Sequence, residues 1–550
     1  MHSAINTISR FSYVDVALIL CAIIFAGLIR IPSITQPLGP DQGIMSVIGE
    51  GILNGNLPYR DYWEMGSPAV FFTYALMFRI FGQSMSAIPI TDILMSMLTT
   101  FLIFLLARSI WGKKVGFVSA SLFAFFSNGV QLGMHAGGDT AFGTFWYIAQ
   151  RETFMLPLIV ASVFCLLCSE RKDWNLLLLL CTGFFSGLAF VYKFPSIIIF
   201  ACFIVYINWN FLSKKNIHLW NKLIVKHLFI IIGFVLALVP FAIFFSVNGA
   251  MREMTDVIFK FVFSIYGQIE HNYLAVFKMG ATKTFLIAQE NFILWIFALS
   301  SCIYFLKNER RKENMLIALW SLASILFVVS HREFFGYHYL LVLPPFSMLA
   351  GYGLVRALGP SISLRQTIAS DFGKTFIILA MAANFAFFTT LNYMHYTKFY
   401  YYFTGKITQD EYYDFFNAYP KHDYSFPANY QVAQYVSENS DSTEMIYVLG
   451  GTESVIYFLS RRRSPSRFIF SWILFSSSHG QVEQAVAYRS ELLHDLEACE
   501  PKFIVSIRSI ETYQQYPEIY NFVKHNYVLD KIFPDDRFIY ILKEHESQRI

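Results

Sequence analysis

The carboxylates best suited to acid–base chemistry in this 550-residue chain stand at the edges of long apolar runs. Asp41 follows the first apolar run, in "GPDQG", and Glu152 opens a later one, in "QRETFMLPL". Asp139 lies shortly before Glu152, in "HAGGDTAFG". Partial desolvation at the rim of a membrane cavity raises the pKa of a carboxyl group toward that of a useful general base. We therefore take Asp41, Glu152 and Asp139 as the candidate catalytic residues.

Structural roles compete with catalysis at two of these positions. Asp41 precedes an amphipathic stretch, "IMSVIGEGILNG", and could be the N-cap of an interfacial helix that ends at Gly55. Glu152 could complement the dipole at the start of its helix. An acid at the outer end of a membrane helix is nevertheless a functional candidate by default, so both interpretations stay open.

Basic and hydrogen-bonding groups accompany these acids and could bind an anionic phosphate. The candidates are Arg60, Lys193 in "FVYKFPS", and Arg332 and His338 in "SHREFFGYHY". Isolated interfacial cations such as Lys193 and Arg332 commonly extend to lipid headgroups instead. His338 could equally be an interface residue. The candidate substrate-binding residues are Tyr59, Asp61, Glu64 and Tyr337.

Aromatic residues also stand in the first polar segment, which covers 35–85. Tyr59, Tyr62 and Trp63 suit either an interfacial anchor or a stacking surface for a sugar. Tyr and Trp are enriched at membrane interfaces, so the anchor is the preferred interpretation.

The composition is that of a polytopic membrane protein. Hydrophobic residues make up 55% of the chain and charged residues 15%, and 58 residues are Phe, which is more apolar side chain than a soluble core needs. The net charge of +4 is small, and its cations lie in short clusters between apolar runs, which argues against nucleic acid as a partner. The seven cysteines show no disulfide framework or zinc-ligand spacing.

At about 20 apolar residues per span, the sequence predicts about eleven transmembrane helices. They lie near 12–34, 86–109, 115–131, 152–169, 174–192, 195–211, 225–248, 288–307, 314–331, 338–357 and 373–393. The run 67–82 is shorter and carries Arg79, so we place it as a helix in the membrane interface.

The charge pattern predicts the orientation of these helices. With an inside N-terminus, the Lys/Arg-rich loops such as "SERKD" and "KNERRKEN" fall on the cytoplasmic side. The polar segment 35–85 and everything after 393 then lie outside. We expect a transmembrane domain over 1–393 and a soluble α/β domain over 394–550, with strands near 444–451, 501–510 and 537–543.

The residues quoted above carry a family resemblance that covers most of the chain. The first span followed by "GPDQG", then "GILNGNLPYRDYWEMGSP", "QRETFMLP" and "GYHYLLVLPPFSMLAGYG", resembles the bacterial GT-C membrane glycosyltransferases. More narrowly, it is similar to glycosyltransferase family 39, the group of protein O-mannosyltransferases and aminoarabinose transferases. The expected fold is therefore a GT-C-like helical membrane domain with a C-terminal α/β domain.

The resemblance implies a polyprenyl-phosphate sugar as donor, and a glycan, lipid or protein as acceptor. It assigns the general base to Asp41 and a second acid to Glu152 or Asp139. Where related aminoarabinose transferases carry Lys-Pro-Pro, this chain has Gly66-Ser67-Pro68, so Arg60 or Lys193 would supply the missing charge. A divalent ion held by Asp41 and a second acid stays open; no other cofactor is implied.

These observations predict an inverting glycosyltransferase in a bacterial inner membrane, with its active site on the outer side. The alternative is a flippase for a lipid-linked glycan, which predicts paired charges near the bilayer midplane and internal symmetry. A scaffold whose outer domain binds envelope proteins would leave the Asp41 segment without a role. The sequence favours the enzyme.

Overall fold

A computed structural model describes residues 11–128, 148–171, 175–212, 220–262, 273–359, 364–417, 424–475 and 483–543. Asp139 lies outside these described residues. The chain divides into two compact units. Unit 1 comprises Met1–Ile34, Pro89–Pro240 and Asn272–Tyr400, and unit 2 comprises Thr35–Ile88, Phe241–His271 and Tyr401–Ile550.

Helices dominate the first 400 residues, and strands occur only toward the end of the described chain. The elements are, in chain order, α1 (Tyr13–Leu28), α2 (Pro40–Leu53), α3 (Ala69–Phe81), α4 (Ala87–Trp111), α5 (Lys113–Phe126), α6 (Arg151–Arg171), α7 (Leu176–Tyr192), α8 (Ile197–Leu212), α9 (Trp220–Val247), α10 (Met251–Thr255), α11 (Tyr273–Glu290), α12 (Phe292–Asn308), α13 (Lys312–His331), α14 (Leu343–Ala357), α15 (Leu364–Phe403), α16 (Gln409–Asp414), α17 (Phe426–Glu438), β1 (Ile446–Leu449), α18 (Val455–Ser460), α19 (Glu483–Cys499), β2 (Phe503–Ser506), α20 (Pro517–Asn526), β3 (Tyr527–Phe533) and β4 (Arg537–Leu542).

Among the described residues, six helices are long and apolar enough to cross a membrane. They are α1 with the 3₁₀ turn that follows it, α4, α6, α9, α13 and the 373–403 part of α15. The pair α11 and α12 passes the same test together but bends by 103° at its break, which would give a seventh span. The predicted multi-pass helical membrane architecture is confirmed, whereas the count of eleven spans stays a prediction.

Two ion pairs join α1 to α4 within unit 1. Near the start of α1, Asp15 lies 2.8 Å from Nε of Arg108. Just past the end of α1, Nε of Arg30 lies 3.9 Å from Asp92, and both side chains are buried. The partners are 15 and 16 residues apart along the chain, which corresponds to about 23 Å of helix on each side. The two helices therefore run antiparallel with matched charges at both ends.

Glycine permits a second close helix contact in unit 1. A Cβ added at Gly183 of α7 would lie 1.9 Å from the carbonyl oxygen of Ile230 in α9. A Cβ added at Gly233 of α9 would lie 2.0 Å from the carbonyl oxygen of Leu180. Such mutual backbone contact drives helix association in a bilayer, where burial of apolar surface contributes little.

Unit 2 contains a four-stranded sheet of order β1-β2-β4-β3. β1 and β2 are parallel, whereas β4 pairs antiparallel with both β2 and β3. The three predicted strands are confirmed as β1, β2 and β4. The sequence analysis missed β3, whose central residues Val528–Ile532 are exposed or only partly buried, as in an edge strand. The predicted domain boundary at 393/394 falls within α15.

We expect Arg30→Met to lower the stability of the purified chain by about 3–5 kcal/mol, because it leaves Asp92 buried without its countercharge. The double variant Arg30→Met/Asp92→Leu should recover part of this loss, since it removes both charges. Thermal unfolding in detergent measures both. The control is Lys312→Met, which breaks a half-exposed pair with Glu170 and should cost about 1 kcal/mol or less. Equal losses for Arg30→Met and Lys312→Met would contradict this prediction.

A second prediction concerns the core of unit 2. Arg537 and Glu453 form a fully buried pair, with Nη2 and Oε1 3.0 Å apart. Arg537→Met should destabilise the chain by about 3–5 kcal/mol, because the Glu453 carboxylate loses its countercharge. Arg508 is exposed, so Arg508→Met should change stability by no more than about 0.5 kcal/mol. An Arg537→Met variant with the melting temperature of the wild type would refute the structural role of the pair.

Candidate active site

Glu152 lies in the first turn of α6 and is fully buried. One carboxylate oxygen, Oε1, accepts a hydrogen bond from the ammonium of Lys193. The other, Oε2, is buried without a hydrogen-bond partner among the described residues. A buried carboxylate with a free lone pair is costly unless something else binds to it. Glu152 is therefore positioned to accept a further proton, donor or cation.

Lys193 is positioned by the end of α7. Pro195 follows two residues later and has no N–H to donate to the carbonyl oxygen of Val191, so α7 cannot continue through it and ends at Tyr192. Lys193 itself is extended and begins a short 3₁₀ turn. Its ammonium lies 5.2 Å from the ring centroid of Tyr337 and 5.9 Å from that of Phe327. Lys193 thus contacts an acid and two aromatic faces, and is not simply extended toward headgroups.

Two histidines complete this group. His331 ends α13, and His338 lies in the 3₁₀ turn Gly336–Leu341. Their ring centroids are 4.3 Å apart. Nδ1 of His331 lies 2.8 Å from the carbonyl oxygen of Phe327, so Nδ1 carries the proton and the neutral ring presents a lone pair at Nε2. We call Glu152, Lys193, His331, Tyr337 and His338 the lysine cluster.

The lysine cluster also offers atoms that could hold a metal ion. One ligand atom each from Glu152, His331 and His338 lie within 4.8 Å of one another. An oxygen and two imidazole nitrogens suit a zinc-type ion better than magnesium. The ammonium of Lys193 already neutralises Glu152, so it would compete with such an ion. This set differs from Asp41 and a second acid, the pair for which the sequence analysis left a divalent ion open.

The start of α6 is held by Asp92 of α4. Its Oδ1 accepts hydrogen bonds from the backbone N–H of Ala149 at 2.7 Å and from the hydroxyl of Thr153 at 3.1 Å. These residues flank Glu152 on both sides. Arg30 pairs with the same carboxylate and donates to the hydroxyl of Ser127 at 2.7 Å. Asp92 and Arg30 therefore position the start of α6, and with it Glu152.

Asp41 belongs to unit 2 and is not an N-cap, so that interpretation is wrong. The N-cap of α2 is Gly39, Pro40 is the first helical residue, and Asp41 follows in the first turn, half-buried. Proline suits this position because its missing N–H would be unbonded there anyway. Burial raises the pKa of Tyr424 well above its ordinary value, and the negative charges of Glu453 and Asp41 raise it further.

Close packing fixes α2 against its neighbours in unit 2. A Cβ at Gly43 would lie 2.8 Å from the backbone nitrogen of Val455 in α18, and one at Gly51 would lie 2.2 Å from the ring of Tyr62. The glycines of "GIMSVIGEGIL" are thus required by contact. The predicted helix is confirmed, and Gly55 follows it with a positive φ of 87°.

The predicted substrate-binding residues of the first polar segment have mostly structural roles. Tyr59 is fully buried and donates its hydroxyl hydrogen to the carbonyl oxygen of Gly66 at 2.7 Å. Glu64 is buried and accepts from the N–H of Gly66 at 2.9 Å. Trp63 is fully buried against Phe261 and other rings. The proposed contact of Tyr59 with substrate is therefore corrected, and the interfacial-anchor interpretation is wrong for Tyr59 and Trp63.

Arg60 and Asp61 are the more exposed members of the same segment. Arg60 donates to Asp61 from Nε at 2.9 Å and from Nη2 at 3.0 Å. Burial raises the pKa of Asp61, but the hydrogen bonds from Arg60 and from the Leu57 N–H outweigh it and hold this pKa below its ordinary value. Arg332 belongs to unit 1, is exposed, and lies 5.8 Å above the ring of Tyr273. Neither arginine is part of the lysine cluster as defined.

The sequence analysis therefore found four members of the lysine cluster and missed the fifth, His331. It also missed the supporting pair, Arg30 and Asp92. The sequence nevertheless contained a signal for His331 and a signal for the buried pair. An acid within the apolar run "ITDILMSM" requires a buried partner, and His331 adjoins the quoted "REFFGYHY".

Comparison with known proteins agrees with this architecture. Residues 66–244 match a family described as dolichyl-phosphate-mannose-protein mannosyltransferase. This third of the chain contains Glu152 and Lys193 but neither Asp41 nor the two histidines. No curated protein matches the sequence.

Solved structures match almost the whole chain. ArnT from Cupriavidus metallidurans bound to undecaprenyl phosphate matches with a TM-score of 0.55 and 12% identity, covering 96% of this chain and 97% of that one. The apo form of that protein gives 0.53 and 13%, with the same coverage. The archaeal oligosaccharyltransferase AglB from Archaeoglobus fulgidus, in complex with an inhibitory peptide and a dolichol-phosphate, gives 0.52 and 14%, covering 97% and 75%.

The chain has the GT-C fold. The predicted resemblance to GT-C membrane glycosyltransferases is confirmed, because the matched family and the solved neighbours are glycosyltransferases or oligosaccharyltransferases. The expected C-terminal sheet is present as well. At these identities the structural likeness establishes the fold, and the chemistry must be argued from the residues.

Proposed function

We propose that this protein is an inverting glycosyltransferase that moves a sugar from a polyprenyl-phosphate donor to a hydroxyl acceptor. The observation that carries the proposal is the lysine cluster, a buried Lys–Glu pair beside two histidines at the ends of three membrane helices. The family and fold matches support a lipid-phosphate donor: one neighbour is bound to undecaprenyl phosphate and another is in complex with a dolichol-phosphate.

Lys193 is the residue proposed to bind the donor phosphate. In the transfer, the acceptor oxygen forms a bond to the anomeric carbon, and the bond from that carbon to the phosphate oxygen breaks. The donor phosphate carries one negative charge before this step and two after it. A buried ammonium therefore stabilises the departing group more than the bound substrate, which is the condition for catalysis.

Glu152 is proposed to be displaced from Lys193 when the donor phosphate binds. An incoming phosphate competes with Glu152 for the ammonium of Lys193, since both are anions and the ammonium has three donors. Once released, the Glu152 carboxylate can accept a hydrogen bond or proton from a hydroxyl. His338 is proposed as a further phosphate contact, because Nδ1 of this buried ring has no hydrogen-bond partner among the described residues.

The role of general base stays with Asp41 as a prediction from the family resemblance. Its half-buried place in the first turn of α2 is compatible with taking the acceptor proton. The proposed location, a bacterial inner membrane with the reaction on the outer side, rests on the distribution of Lys/Arg between loops. The acceptor class is a glycan, a lipid or a protein of the envelope.

The flippase alternative gains no support from the charges of α1 and α4. It needs paired charges near the middle of the bilayer. Asp15 and Asp92 lie in the first two turns of their helices, Arg30 follows the end of α1, and Arg108 is in the last turn of α4. These pairs sit at helix ends and serve to join the helices.

We expect Lys193→Met to lower kcat/KM for a polyprenyl-phosphate sugar by about 10²- to 10³-fold, because it removes charge stabilisation of the leaving phosphate. The assay is transfer of radiolabelled sugar from polyprenyl-phosphate donors in membranes, at matched expression. Lys312→Met is the matched control, since it also removes a lysine from a Lys–Glu pair of unit 1, and should keep the wild-type rate. Loss of transfer in both variants, or in neither, would contradict the assignment of Lys193.

We expect Asp41→Asn to abolish transfer while the melting temperature stays unchanged, because the amide keeps the shape but cannot take the acceptor proton. Asp410→Asn is the control at an exposed acid of unit 2 that is hydrogen-bonded by Gln431, and it should retain transfer. Wild-type transfer by Asp41→Asn would remove this residue from the mechanism. Failure of the wild-type chain to transfer sugar from any donor would overturn the proposed function itself.

A further inference from the structure

Unit 2 contains a cleft that the proposed transfer does not use. Its volume is about 930 Å³, which lies within the usual range for sites that bind small molecules. One wall follows the end of α2 and the loop after it. The other wall follows the segment Ser460–Arg467, in the run "SRRRSPSR", together with Glu491 and Asp495 of α19. We call it the arginine cleft.

Most arginines of the arginine cleft already have acidic partners. Arg461 lies 2.8 Å from Glu50, and Arg60 lies 2.9 Å from Asp61. Arg467 binds Glu491 with two hydrogen bonds, of 2.6 and 2.9 Å. The guanidinium of Arg462 is buried and donates to the carbonyl oxygens of Ser437 and Ser460 at 3.0 and 2.9 Å. The side chains of these arginines are already engaged in these contacts, so they form the walls of the arginine cleft.

Arg463 differs from the others. Its side chain is exposed, and within the described part of the chain it has no ion pair or hydrogen bond. Its position is nevertheless fixed, because its carbonyl oxygen accepts a hydrogen bond from the N–H of Ile446 at 3.0 Å, beside β1. Its charge faces the cleft: burial raises the pKa of Glu50 overall, and Arg461 and Arg463 oppose that rise. The backbone contact fixes only where the side chain begins, and the exposed guanidinium is therefore accessible for bidentate binding of an anion.

The segment turns sharply after α18. Arg461 adopts a positive φ of 57°, the left-handed conformation that commonly ends a helix. From there the exposure alternates, with Arg461 and Arg463 exposed and Arg462 buried, and all three arginines line the arginine cleft.

The remaining wall groups decide which anions fit. Glu50, Asp61, Glu491 and Asp495 line the arginine cleft together with its five arginines, so the lining carries a net charge of +1 and balances one anionic group better than several. Asn54 and Asn56 add amide donors and acceptors, and the hydroxyl of Tyr62 accepts from Asn56 at 2.9 Å. A ligand rich in hydroxyls can use both kinds of group, and one acidic substituent can pair with Arg463.

From this geometry we infer that the arginine cleft binds an acidic saccharide, with Arg463 anchoring its single carboxylate or phosphate group. The paired acids and the asparagines then bind the sugar hydroxyls. The inference concerns binding alone and does not rest on the proposed sugar transfer. It names a site in unit 2 that is separate in residues from the lysine cluster.

The test is isothermal titration of the purified full-length chain with four probes: a disaccharide containing one glucuronic acid, the matched neutral disaccharide, glycerol phosphate and inorganic phosphate. We expect the acidic disaccharide to bind at least tenfold more tightly than the other three, because only it offers both an anion and a set of hydroxyls. Arg463→Ala should weaken this binding about tenfold or more, the loss expected for one bidentate charged contact.

Two further variants distinguish a loss of ligand binding from a loss of folded protein. Arg463→Lys keeps the charge without the planar fork and should restore part of the affinity. Arg508→Ala removes an exposed arginine outside the arginine cleft and should bind like the wild type, and all variants should keep the wild-type melting temperature. The inference is overturned if Arg463→Ala binds normally, or if the neutral disaccharide, glycerol phosphate or inorganic phosphate binds as tightly as the acidic one. Absence of saturable binding by the wild type overturns it equally, whether or not sugar transfer is observed.

Discussion

The carboxylate of Asp92 is the interaction on which the candidate site of unit 1 depends. It lies within an apolar helix, where a charge is tolerated only with partners. Arg30 supplies the countercharge from the end of α1, and Ala149 and Thr153 donate hydrogen bonds from either side of Glu152. One side chain therefore joins α1, α4 and α6, and the entry of α6 cannot move without breaking a buried charge network. Such networks are expensive when incomplete and rigid when satisfied.

The lysine cluster, which includes Glu152 at this rigid helix start, combines neutralised charges with unsatisfied polar atoms. Glu152 and Lys193 neutralise each other in a buried place, so the resting cluster is stable without a ligand. It is also incompletely satisfied, because Oε2 of Glu152, Nε2 of His331 and Nδ1 of His338 have no hydrogen-bond partner among the described residues. Buried polar atoms without partners are costly. Oε2 of Glu152 and Nε2 of His331 present lone pairs, so a cation or a hydrogen-bond donor that engaged them would regain that energy. The resting cluster therefore keeps buried acceptor positions that a further donor or cation can fill.

Unit 2 uses arginine in a different way. In its core, Arg537 and Glu453 form a closed pair with no exposed surface. In the arginine cleft, pairs of the same kind stand at the surface and leave Arg463 exposed. The contrast shows that pairing alone does not indicate function. What distinguishes the arginine cleft is Arg463, whose guanidinium has no ion pair or hydrogen bond among the described residues. Its backbone is fixed beside β1, next to walls that carry both donors and acceptors.

The sequence by itself determined the class of this protein: a multi-pass helical membrane protein with a small C-terminal sheet and a GT-C resemblance. Apolar run length, periodicity and the quoted motifs are local properties, so they could be read directly. It also selected Glu152, Lys193, Tyr337 and His338, because polar residues at the ends of apolar runs are uncommon. Only the tertiary structure showed that these four meet, that His331 joins them, and that Tyr59 and Trp63 are core residues. It alone paired Arg30 with Asp92 and left the Arg463 side chain without a partner in the part of the chain that the structure describes. Burial and pairing depend on which distant segments come together, and no local pattern encodes that choice.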